Sequence, residues 1–366
     1  MLALLSLSLW LYLASAHGRF WSSTPQVLPG RSVELPEVDV IVPARDEAAT
    51  IGAAIGSLLA QDYAGTFNVI LVDDGSTDGT SAAAGTAPTL RKIEGQPKPA
   101  GWSGKLWAMS QGIMASRAPL VLFTDADIVH DPRHLAALVA QLERGQVALV
   151  SEMVRLRCTS LPERALVPAF VYFFQMLYPF SRVNDPRSRT AAAAGGTILI
   201  RREVLQRMGG LARIRCTLID DVALAAAVKP FAPIYLGHSD LAESMRPYSD
   251  FGDIWRMISR TAFTQLRYSA LLLALTFCGM ALLWWVPVGE MLIGHGVHRA
   301  LGFAAFALAA CTYLPTLARY GRSRLWAFCL PLIAAFYLAA TCGSALNHWF
   351  GGGARWKERA YEGPHG

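Results

Sequence analysis

The sequence predicts an α/β fold built on a mostly parallel sheet, joined to helices that associate with a membrane. Short β-branched apolar runs alternate with helical patterns across residues 36–268, which is typical of a parallel sheet covered by helices. Carboxylates stand within a few residues of the end of three of these runs. Apolar residues make up 53% of the chain and charged residues only 16%, and the longest apolar runs stand near its two ends. This composition is too apolar for an ordinary soluble enzyme.

Four short apolar runs predict buried strands, and an amphipathic helical pattern follows the first of them, reaching about Ala60. In an open sheet of parallel strands, the loops at the carboxyl ends of the strands line the usual ligand crevice. We therefore expect the segments that follow these runs to lie along one edge of the sheet. The predicted strands are Val38–Val42, Phe67–Val72, Leu120–Phe123 and Val147–Val150.

Acidic residues follow the first three predicted strands, at Asp46-Glu47, Asp73-Asp74 and Asp125-Ala-Asp127. Because side chains alternate along an extended chain, the two carboxylates of the third cluster point the same way. Oxygen ligands of this kind suit Mg²⁺ or Mn²⁺, which keep waters and take their remaining ligands from a bound phosphate. The alternative is that Asp125 caps a helix and that Asp131-Pro132 turns the chain.

Each acidic cluster has a physical role if the ligand is a nucleoside diphosphate. Asp127 would hold the metal ion, which neutralises the diphosphate leaving group. A polar turn that caps the following helix also explains the second cluster, and such a turn is compatible with ligand contacts. Asp73, Asp74 or Glu47 is expected to accept a hydrogen bond from uracil N3–H or to bridge ribose hydroxyls, and Asp125 is expected to reach the ribose.

Two further segments place charge at the predicted start of a helix. Lys105 follows a glycine-rich loop, and a lysine at a helix N-terminus favours phosphate binding, although a surface lysine is the alternative. Asp220-Asp221 open another helical pattern. Negative charge at that position also complements the helix dipole without any catalytic role.

These motifs together resemble the family 2 glycosyltransferases of the GT-A fold, over roughly Val38–Arg267. The membrane tail and its closing Arg355–Tyr361 segment make the chain similar to the hopene-associated glycosyltransferases of bacterial hopanoid clusters. More distantly, the chain resembles ceramide-glucosyltransferase-like enzymes. The matching pieces, in order, are Ile41-Val-Pro-Ala-Arg-Asp-Glu47, Val72-Asp-Asp-Gly-Ser-Thr-Asp78, Gly104-Lys105, Thr124-Asp-Ala-Asp127, Gly195-Gly196-Thr197 with Arg201-Arg202, and Ile219-Asp220-Asp221.

The resemblance implies transfer of a sugar from a nucleotide sugar, with UDP as the nucleotide, and inversion at the anomeric carbon. It assigns Asp221 as the base that takes the proton of the acceptor hydroxyl, with Asp220 in a position usually held by Glu. Pro43 of the first motif and Gly196, where the backbone can approach closely, are expected to contact the nucleotide sugar. The Gln/Arg-x-x-Arg-Trp motif of the family is altered here. Only the arginine of the motif is kept, as Arg260, and it is expected to contact the diphosphate. The alternative is that Arg260 belongs to a plain amphipathic helix.

The apolar runs and the resemblance divide the chain into parts. The first run is expected to be a membrane anchor, although Ala14-Ser15-Ala16 also resembles a signal-peptidase site. Aromatic and basic residues favour interfacial helices within the catalytic domain. The predicted parts are an anchor at 1–17, a GT-A domain at 36–268 with interfacial helices near 161–180 and 250–267, two to three membrane-spanning helices at 269–346, and a basic tail at 347–366.

We expect a multi-pass protein of the bacterial inner membrane whose catalytic domain faces the cytoplasm, where nucleotide sugars are made. Arg19 and Arg31, which follow the first apolar run, favour that orientation. The net charge of +6 suits anionic lipids and phosphate-bearing substrates. The sequence contains no basic run with interleaved aromatic residues, so it does not predict a nucleic-acid partner. The acceptor is expected to be a lipid, with a hopanoid as the narrower prediction.

Two other functions remain as alternatives. A processive polysaccharide synthase uses similar motifs, but three short spans are few for a polymer channel. A catalytically silent membrane protein that binds nucleotide is the alternative of another class, and the presence of both Asp127 and Asp221 disfavours it. The six cysteines include no C-x-x-C pair, so they predict neither a disulfide framework nor a zinc site.

Overall fold

A computed structural model describes residues 1–351, 355–356 and 359–360, and the chain divides into two compact units. The helical unit comprises residues 1–23, 158–181 and the described residues from 248 to 351. The sheet unit comprises residues 24–157 and 182–247 with the short described strands of the tail. The rest of the predicted basic tail, including Lys357, lies outside the described residues.

The strands are bounded as follows. They are β1 (Val38–Ala44), β2 (Phe67–Asp73), β3 (Leu90–Glu94), β4 (Leu120–Thr124), β5 (Ile128–His130), β6 (Leu149–Arg155), β7 (Thr197–Arg201), β8 (Ile234–Ser244), β9 (Arg355–Trp356) and β10 (Arg359–Ala360).

The α-helices are bounded as follows, with 3₁₀ turns at Leu211–Ile214 and Arg324–Cys329 and a π-helical turn at Ala281–Trp285. They are α1 (Leu2–Ser15), α2 (Ile51–Leu59), α3 (Thr80–Ala83), α4 (Gly104–Ala115), α5 (His134–Arg144), α6 (Leu161–Leu177), α7 (Phe180–Asn184), α8 (Arg202–Arg207), α9 (Asp220–Val228), α10 (Phe251–Gln265), α11 (Ala270–Met280), α12 (Val286–Ile293), α13 (Val297–Arg319) and α14 (Leu330–Phe350).

Within residues 1–351, the main sheet has eight strands in the order β3-β2-β1-β4-β7-β6-β8-β5. Four neighbouring pairs are parallel, and three (β4 with β7, β6 with β7, and β5 with β8) are antiparallel. The predicted α/β class is confirmed. The sheet is more mixed than the sequence indicated, because β7 runs antiparallel between β4 and β6.

The predicted strands all occur, since long β-branched runs fit a sheet that is buried on both faces. β1 is buried along its whole length and pairs in parallel with β2 and β4. The fourth predicted strand begins two residues later than expected, as β6, and β7 separates it from β4. The apolar faces of α2 and α5 complete the core on the sheet, for example through Ile55 and Leu138.

The helical unit contains the aromatic and apolar runs predicted to meet a membrane. Three stretches of the described residues are long and apolar enough to cross one: Ala270–Ile293, Val297–Arg319 and Arg324–Phe350. The 14-residue α1 is shorter than a full span and packs against α12 and α13. The 161–180 segment is largely the helix α6, which packs against α10, α13 and α14 and buries Tyr172 completely.

Candidate active site

The site lies at the carboxyl edge of three adjacent parallel strands. Ala44 at the end of β1 stands opposite Asp73 at the end of β2, and β1 also pairs with β4, so the loops after all three strands share one edge. The sequence predicted this arrangement from the position of its acidic clusters.

The loops after β1 and β2 are joined by hydrogen bonds. Asp46 N donates to Ser76 Oγ at 3.0 Å, Thr77 N donates to Asp46 Oδ1 at 2.9 Å, and Glu47 N donates to Thr80 Oγ1 at 2.8 Å. Asp46 has a φ of +50°, a conformation that few residues other than Gly, Asn and Asp adopt readily. The two loops therefore form one wall of the site.

The two aspartates after β2 have different surroundings. Asp74 is 2% exposed, and its carboxylate lies 3.7 Å from Arg45 Nη1, which also donates to the Asp74 carbonyl. Asp73 is half-buried, and its Oδ1 accepts a hydrogen bond from Ser76 N at 2.8 Å. Of the two expected nucleotide contacts, Asp73 therefore has the more accessible carboxylate, while Asp74 anchors Arg45.

Lys105 is in the first turn of α4, which Ser103 caps, and its ammonium group joins two of the predicted site residues. Lys105 Nζ lies 2.8 Å from Asp125 Oδ1 and 3.4 Å from Asp220 Oδ2. Burial alone would lower the pKa of Lys105, but the carboxylates of Asp125, Asp220 and Asp221 outweigh it and raise the pKa. The lysine is therefore a fixed positive charge within an acidic group.

Asp221 opens α9 beside Lys105 and Asp220, and Val222 N donates to its Oδ1 at 2.8 Å. Burial and the neighbouring Asp220 carboxylate raise the pKa of Asp221 to about 7, against the opposing effect of Lys105. A Cβ atom on Gly195 would lie 3.2 Å from Asp221 Oδ2 and 3.6 Å from Lys105 Nζ. Glycine at position 195 thus permits the close approach of backbone and charged side chains.

Gly195 is therefore the glycine that borders the charged group, whereas the sequence favoured its neighbour Gly196. A Cβ atom on Gly196 would instead meet Val154 at 3.1 Å, and the Gly196 carbonyl accepts a hydrogen bond from Thr124 Oγ1 at 2.9 Å. Gly196 thus lies on the β4 side of the same turn. No property of the Gly-Gly pair in the sequence distinguishes the two positions.

Asp127 is 9% exposed, and Arg246 connects it to the wall formed after β1. Arg246 Nε lies 3.6 Å from Asp127 Oδ2, and Arg246 Nη2 lies 3.7 Å from Glu47 Oε1. Burial and the Asp125 charge raise the pKa of Asp127 to about 6, and Arg246 acts in the opposite direction. Sequence reasoning missed Arg246, since a single arginine between Met245 and a proline forms no motif.

The cleft is lined by both apolar and charged side chains. Among the described residues, no three His, Cys, Asp or Glu side chains gather into a complete metal site. A hard cation that keeps waters and phosphate oxygens needs only one or two carboxylates from the protein. The apolar lining comes from Pro43, Leu106, Met109, Phe123, Ile198 and Leu224, and the charged lining from Lys105, Asp125, Asp220 and Asp221.

Arg260 lies on α10 of the helical unit, and its side chain is exposed. The buried face of α10 consists of Ile254, Ile258 and Phe263, as an amphipathic helix predicts. The expected contact between Arg260 and a diphosphate stays a prediction.

The family comparison covers most of the sheet unit together with α6 of the helical unit. Residues 39–209 match the family model described as Glycosyl transferase family 2. A dodecaprenyl-phosphate galacturonate synthase of Rhizobium johnstonii is 32% identical over 127 residues, which are 32% of this chain and 36% of that protein. An N-acetylglucosaminyltransferase of Bradyrhizobium elkanii is 32% identical over 132 residues, 34% of this chain and 70% of that protein. The match thus spans only about a third of the first relative.

A solved mannosyltransferase of Pyrobaculum calidifontis, in complex with GDP-Man and Mn²⁺, is similar in fold. It has a TM-score of 0.55 and 20% identity, with 93% of this chain and 99% of that chain covered. This likeness concerns the fold, and it agrees with the GT-A class that the sequence predicted. On its sequence and its fold, the chain belongs to glycosyl transferase family 2.

Proposed function

We propose that the protein is an inverting, metal-dependent glycosyltransferase that moves a sugar from a UDP-linked donor to a lipid acceptor. The observation that carries this proposal is the group formed by Lys105, Asp125, Asp220 and Asp221 around one cleft, with Asp127 in the same loop as Asp125. Segments that are distant in the sequence supply these charges. A cleft of this composition suits a ligand that carries both hydroxyl groups and a diphosphate.

The donor nucleotide is assigned to the wall formed after β1 and β2. Asp73 or Glu47 would accept a hydrogen bond from uracil N3–H, and Asp125 would accept one from the ribose. Asp74 would act through Arg45, which it holds in place. Pro43 lines the cleft next to these groups, and Gly196 lies beside Gly195 at its border.

Asp127 would hold Mg²⁺ or Mn²⁺ together with phosphate oxygens of the donor. The fit rests on the oxygen donors present and on the like charges of Asp125 and Asp127, which a cation between protein and diphosphate would relieve. When bound, such an ion neutralises the charge of the departing diphosphate. Lys105 adds a second positive charge on the same side, and Arg260 is proposed as a third.

Asp221 is proposed as the base that takes the proton of the acceptor hydroxyl. Its pKa of about 7 lies near neutral pH, where a carboxylate both exists and has appreciable affinity for a proton. Asp220 would keep Lys105 close to Asp221 through its ion pair. Direct attack by the activated hydroxyl on the anomeric carbon gives inversion.

A lipid acceptor is proposed because three helical stretches within the described residues are long and apolar enough to cross a membrane. A relative named as a dodecaprenyl-phosphate galacturonate synthase supports a lipid acceptor in general terms. A hopanoid is the narrower form of the proposal, and the resemblance of the sequence supports it. The proposed location is the bacterial inner membrane, in a multi-pass arrangement with the sheet unit in the cytoplasm.

The test is to incubate membranes containing the protein with a panel of radiolabelled UDP- and GDP-sugars and Mn²⁺, and then to extract the lipids. Label from a UDP-sugar in the lipid phase, absent with Asp221→Asn, is the expected result. Label in an insoluble polymer would instead favour the processive synthase. No transfer from any donor, by a protein that UDP and Mn²⁺ still stabilise against heat, would favour the silent nucleotide-binding protein.

A further inference from the structure

A buried string of polar side chains ends at Thr124, which lines the cleft. It links Glu152 of β6, His134 at the start of α5, His130 at the end of β5 and Thr124 at the end of β4, and none is more than 3% exposed. Glu152 Oε1 lies 2.5 Å from His134 Nε2, and the two Nδ1 atoms of the histidines are 3.1 Å apart. His130 Nε2 lies 3.1 Å from Thr124 Oγ1, which lies 2.9 Å from Gly196 O.

The number of protons on these side chains determines the direction of the string, that is, which group donates in each hydrogen bond. Because a carbonyl can only accept, the contact with Gly196 uses the single hydroxyl proton of Thr124. The Thr124 oxygen must then accept a hydrogen bond, so His130 carries a proton on Nε2. A neutral His130 leaves its Nδ1 bare, and His134 therefore donates from Nδ1.

At the far end, one further proton lies between His134 Nε2 and Glu152 Oε1. Whether it rests on the imidazole or on the carboxyl group, the whole string then has no net charge. The opposite direction, in which Thr124 donates to His130, leaves no proton between Thr124 Oγ1 and the Gly196 carbonyl oxygen 2.9 Å away, and it leaves Glu152 either as a buried carboxylate or as a carboxyl group whose Oε2 proton has no acceptor. Each of these is costly in a buried site, so the direction toward Gly196 is favoured.

Two observations agree with this direction. Burial, followed by the electrostatic effect of the neighbouring His134, lowers the pKa of His130 well below its usual value, so His130 is neutral. Among the described residues, Glu152 Oε2 is buried without a hydrogen-bond partner, which makes a bare carboxylate there still less favourable. The hydroxyl group of Thr124 is therefore directed at Gly196.

The Gly196 carbonyl joins the Gly195–Gly196 turn to the end of β4 through hydrogen bonds. It also accepts hydrogen bonds from Thr197 Oγ1 at 2.8 Å and from Asp125 N at 3.4 Å. Asp125 pairs with Lys105 on one side, and Gly195 borders Asp221 on the other. A shift of this carbonyl would change the spacing between Asp125 and Gly195.

We propose that Glu152, His134, His130 and Thr124 are positioning residues, whose directed hydrogen bonds hold the Gly196 carbonyl against the end of β4 and so fix Asp125 relative to Gly195. This role rests on the proposed function, because the groups it positions form the donor site. Of the four, Thr124 lines the cleft, and the positioning role does not require its side chain to contact the substrate. They act through Asp125 and the Gly195–Gly196 turn.

The first test compares Thr124→Val with Thr124→Ser in the full-length protein in detergent. Valine keeps the branched shape and removes the hydroxyl group, whereas serine retains a hydroxyl group at the same position. We expect Thr124→Val to weaken UDP–Mn²⁺ binding, measured by calorimetry, by about tenfold and to raise the donor KM similarly, while the acceptor KM stays the same. Thr124→Ser should recover most of the lost affinity.

Val139→Ala, a buried change on α5 outside the string, is the matched control for general destabilisation. It should lower the unfolding temperature without changing the donor KM. If wild type binds UDP–Mn²⁺ and Thr124→Val binds it equally well, the positioning role is wrong and the proposed function stands. If wild type binds no UDP–Mn²⁺, the proposed function fails and the positioning role fails with it.

The second test reads the direction of the string without any substrate. Nitrogen-15 NMR of protein labelled at histidine distinguishes protonated from bare ring nitrogens. A His130 that is protonated on Nε2 and bare on Nδ1 supports the proposal. A His130 that is protonated on Nδ1 and bare on Nε2 would overturn it, because Thr124 would then donate to His130 and not to Gly196.

Discussion

Asp39 and Asp127 are both buried aspartates of the sheet unit, 4% and 9% exposed, yet their pKa values move in opposite directions. Burial alone would raise the pKa of Asp39, but hydrogen bonds outweigh it and lower the pKa. Its carboxylate accepts four of them. The donors are Ser116 Oγ at 2.6 Å, Arg117 N at 2.9 Å, Ala118 N at 3.1 Å and Asn68 Nδ2 at 3.1 Å.

Asp127 and Asp221 have fewer compensating partners. Burial and the charge of Asp125 raise the pKa of Asp127 to about 6, and burial with Asp220 raises that of Asp221 to about 7. Their carboxylates are thus held in places that favour the charged form less than water does. Carboxylates with raised pKa values in a cleft are typical of sites that bind cations or transfer protons, whereas Asp39 serves the fold.

The largest expected effect is the loss of turnover in Asp221→Asn. An amide cannot take the proton of the acceptor hydroxyl, so kcat should fall by about 10²–10⁴-fold. UDP–Mn²⁺ binding should persist, because the donor contacts are assigned to other residues. Lipid glycosylation and calorimetry on the same preparation measure both quantities. Turnover that survives in Asp221→Asn would remove Asp221 from the role of base.

Asp39→Asn is the corresponding change at the structural aspartate. Its amide group would face hydrogen-bond donors that now point at a carboxylate, so the protein should lose about 2 kcal/mol of stability. Donor affinity, measured below the lowered unfolding temperature, should not change. A variant as stable as wild type would show that the four hydrogen bonds of Asp39 contribute little.

The pH dependence follows from the pKa of Asp221. Only the carboxylate form accepts a proton, so kcat/KM should fall about tenfold for each pH unit below about 7 and level off above it. Asp220→Asn removes the like charge that raises this pKa. The acidic limb of the pH profile of kcat/KM should therefore move to lower pH. A limb that moves to higher pH would contradict the assignment.

The smallest expected effect is a gain of stability in ligand-free Asp127→Asn. Because folding raises the pKa of Asp127, the charged form weakens the fold once the pH rises through about 6. The amide should therefore stabilise the protein by about 1 kcal/mol at pH 8, and the gain should vanish near pH 4, where the carboxyl group is protonated. Thermal unfolding at the two pH values measures it, and a loss of stability at pH 8 would contradict the contrast with Asp39.

The sequence predicted those parts of the fold that depend on local pattern. β1, β2 and β4 are largely apolar runs, and the acidic residues that follow them meet at one edge because the strands are parallel neighbours. The antiparallel course of β7 could not be predicted, since only the sheet order places it between β4 and β6.

The site was predictable where a residue belongs to a motif. Asp125 and Lys105 were each expected to bind the nucleotide sugar, and in the structure they form an ion pair. Arg246 and the buried string from Glu152 to Thr124 were missed, because each contact joins segments that are far apart in the sequence. Burial also distinguishes Asp73 from Asp74, although the two are adjacent and chemically identical.

The most direct test of the account is the effect of UDP with Mn²⁺ on the unfolding temperature of wild type, Asp39→Asn and Asp127→Asn. Ligand binding to the folded state raises that temperature according to affinity and concentration. Wild type and Asp39→Asn should gain equal stabilisation, and Asp127→Asn should gain little or none. Wild type that gains nothing, or Asp127→Asn that gains as much as wild type, would contradict the claim that the carboxylates of the cleft hold a metal-bound nucleotide.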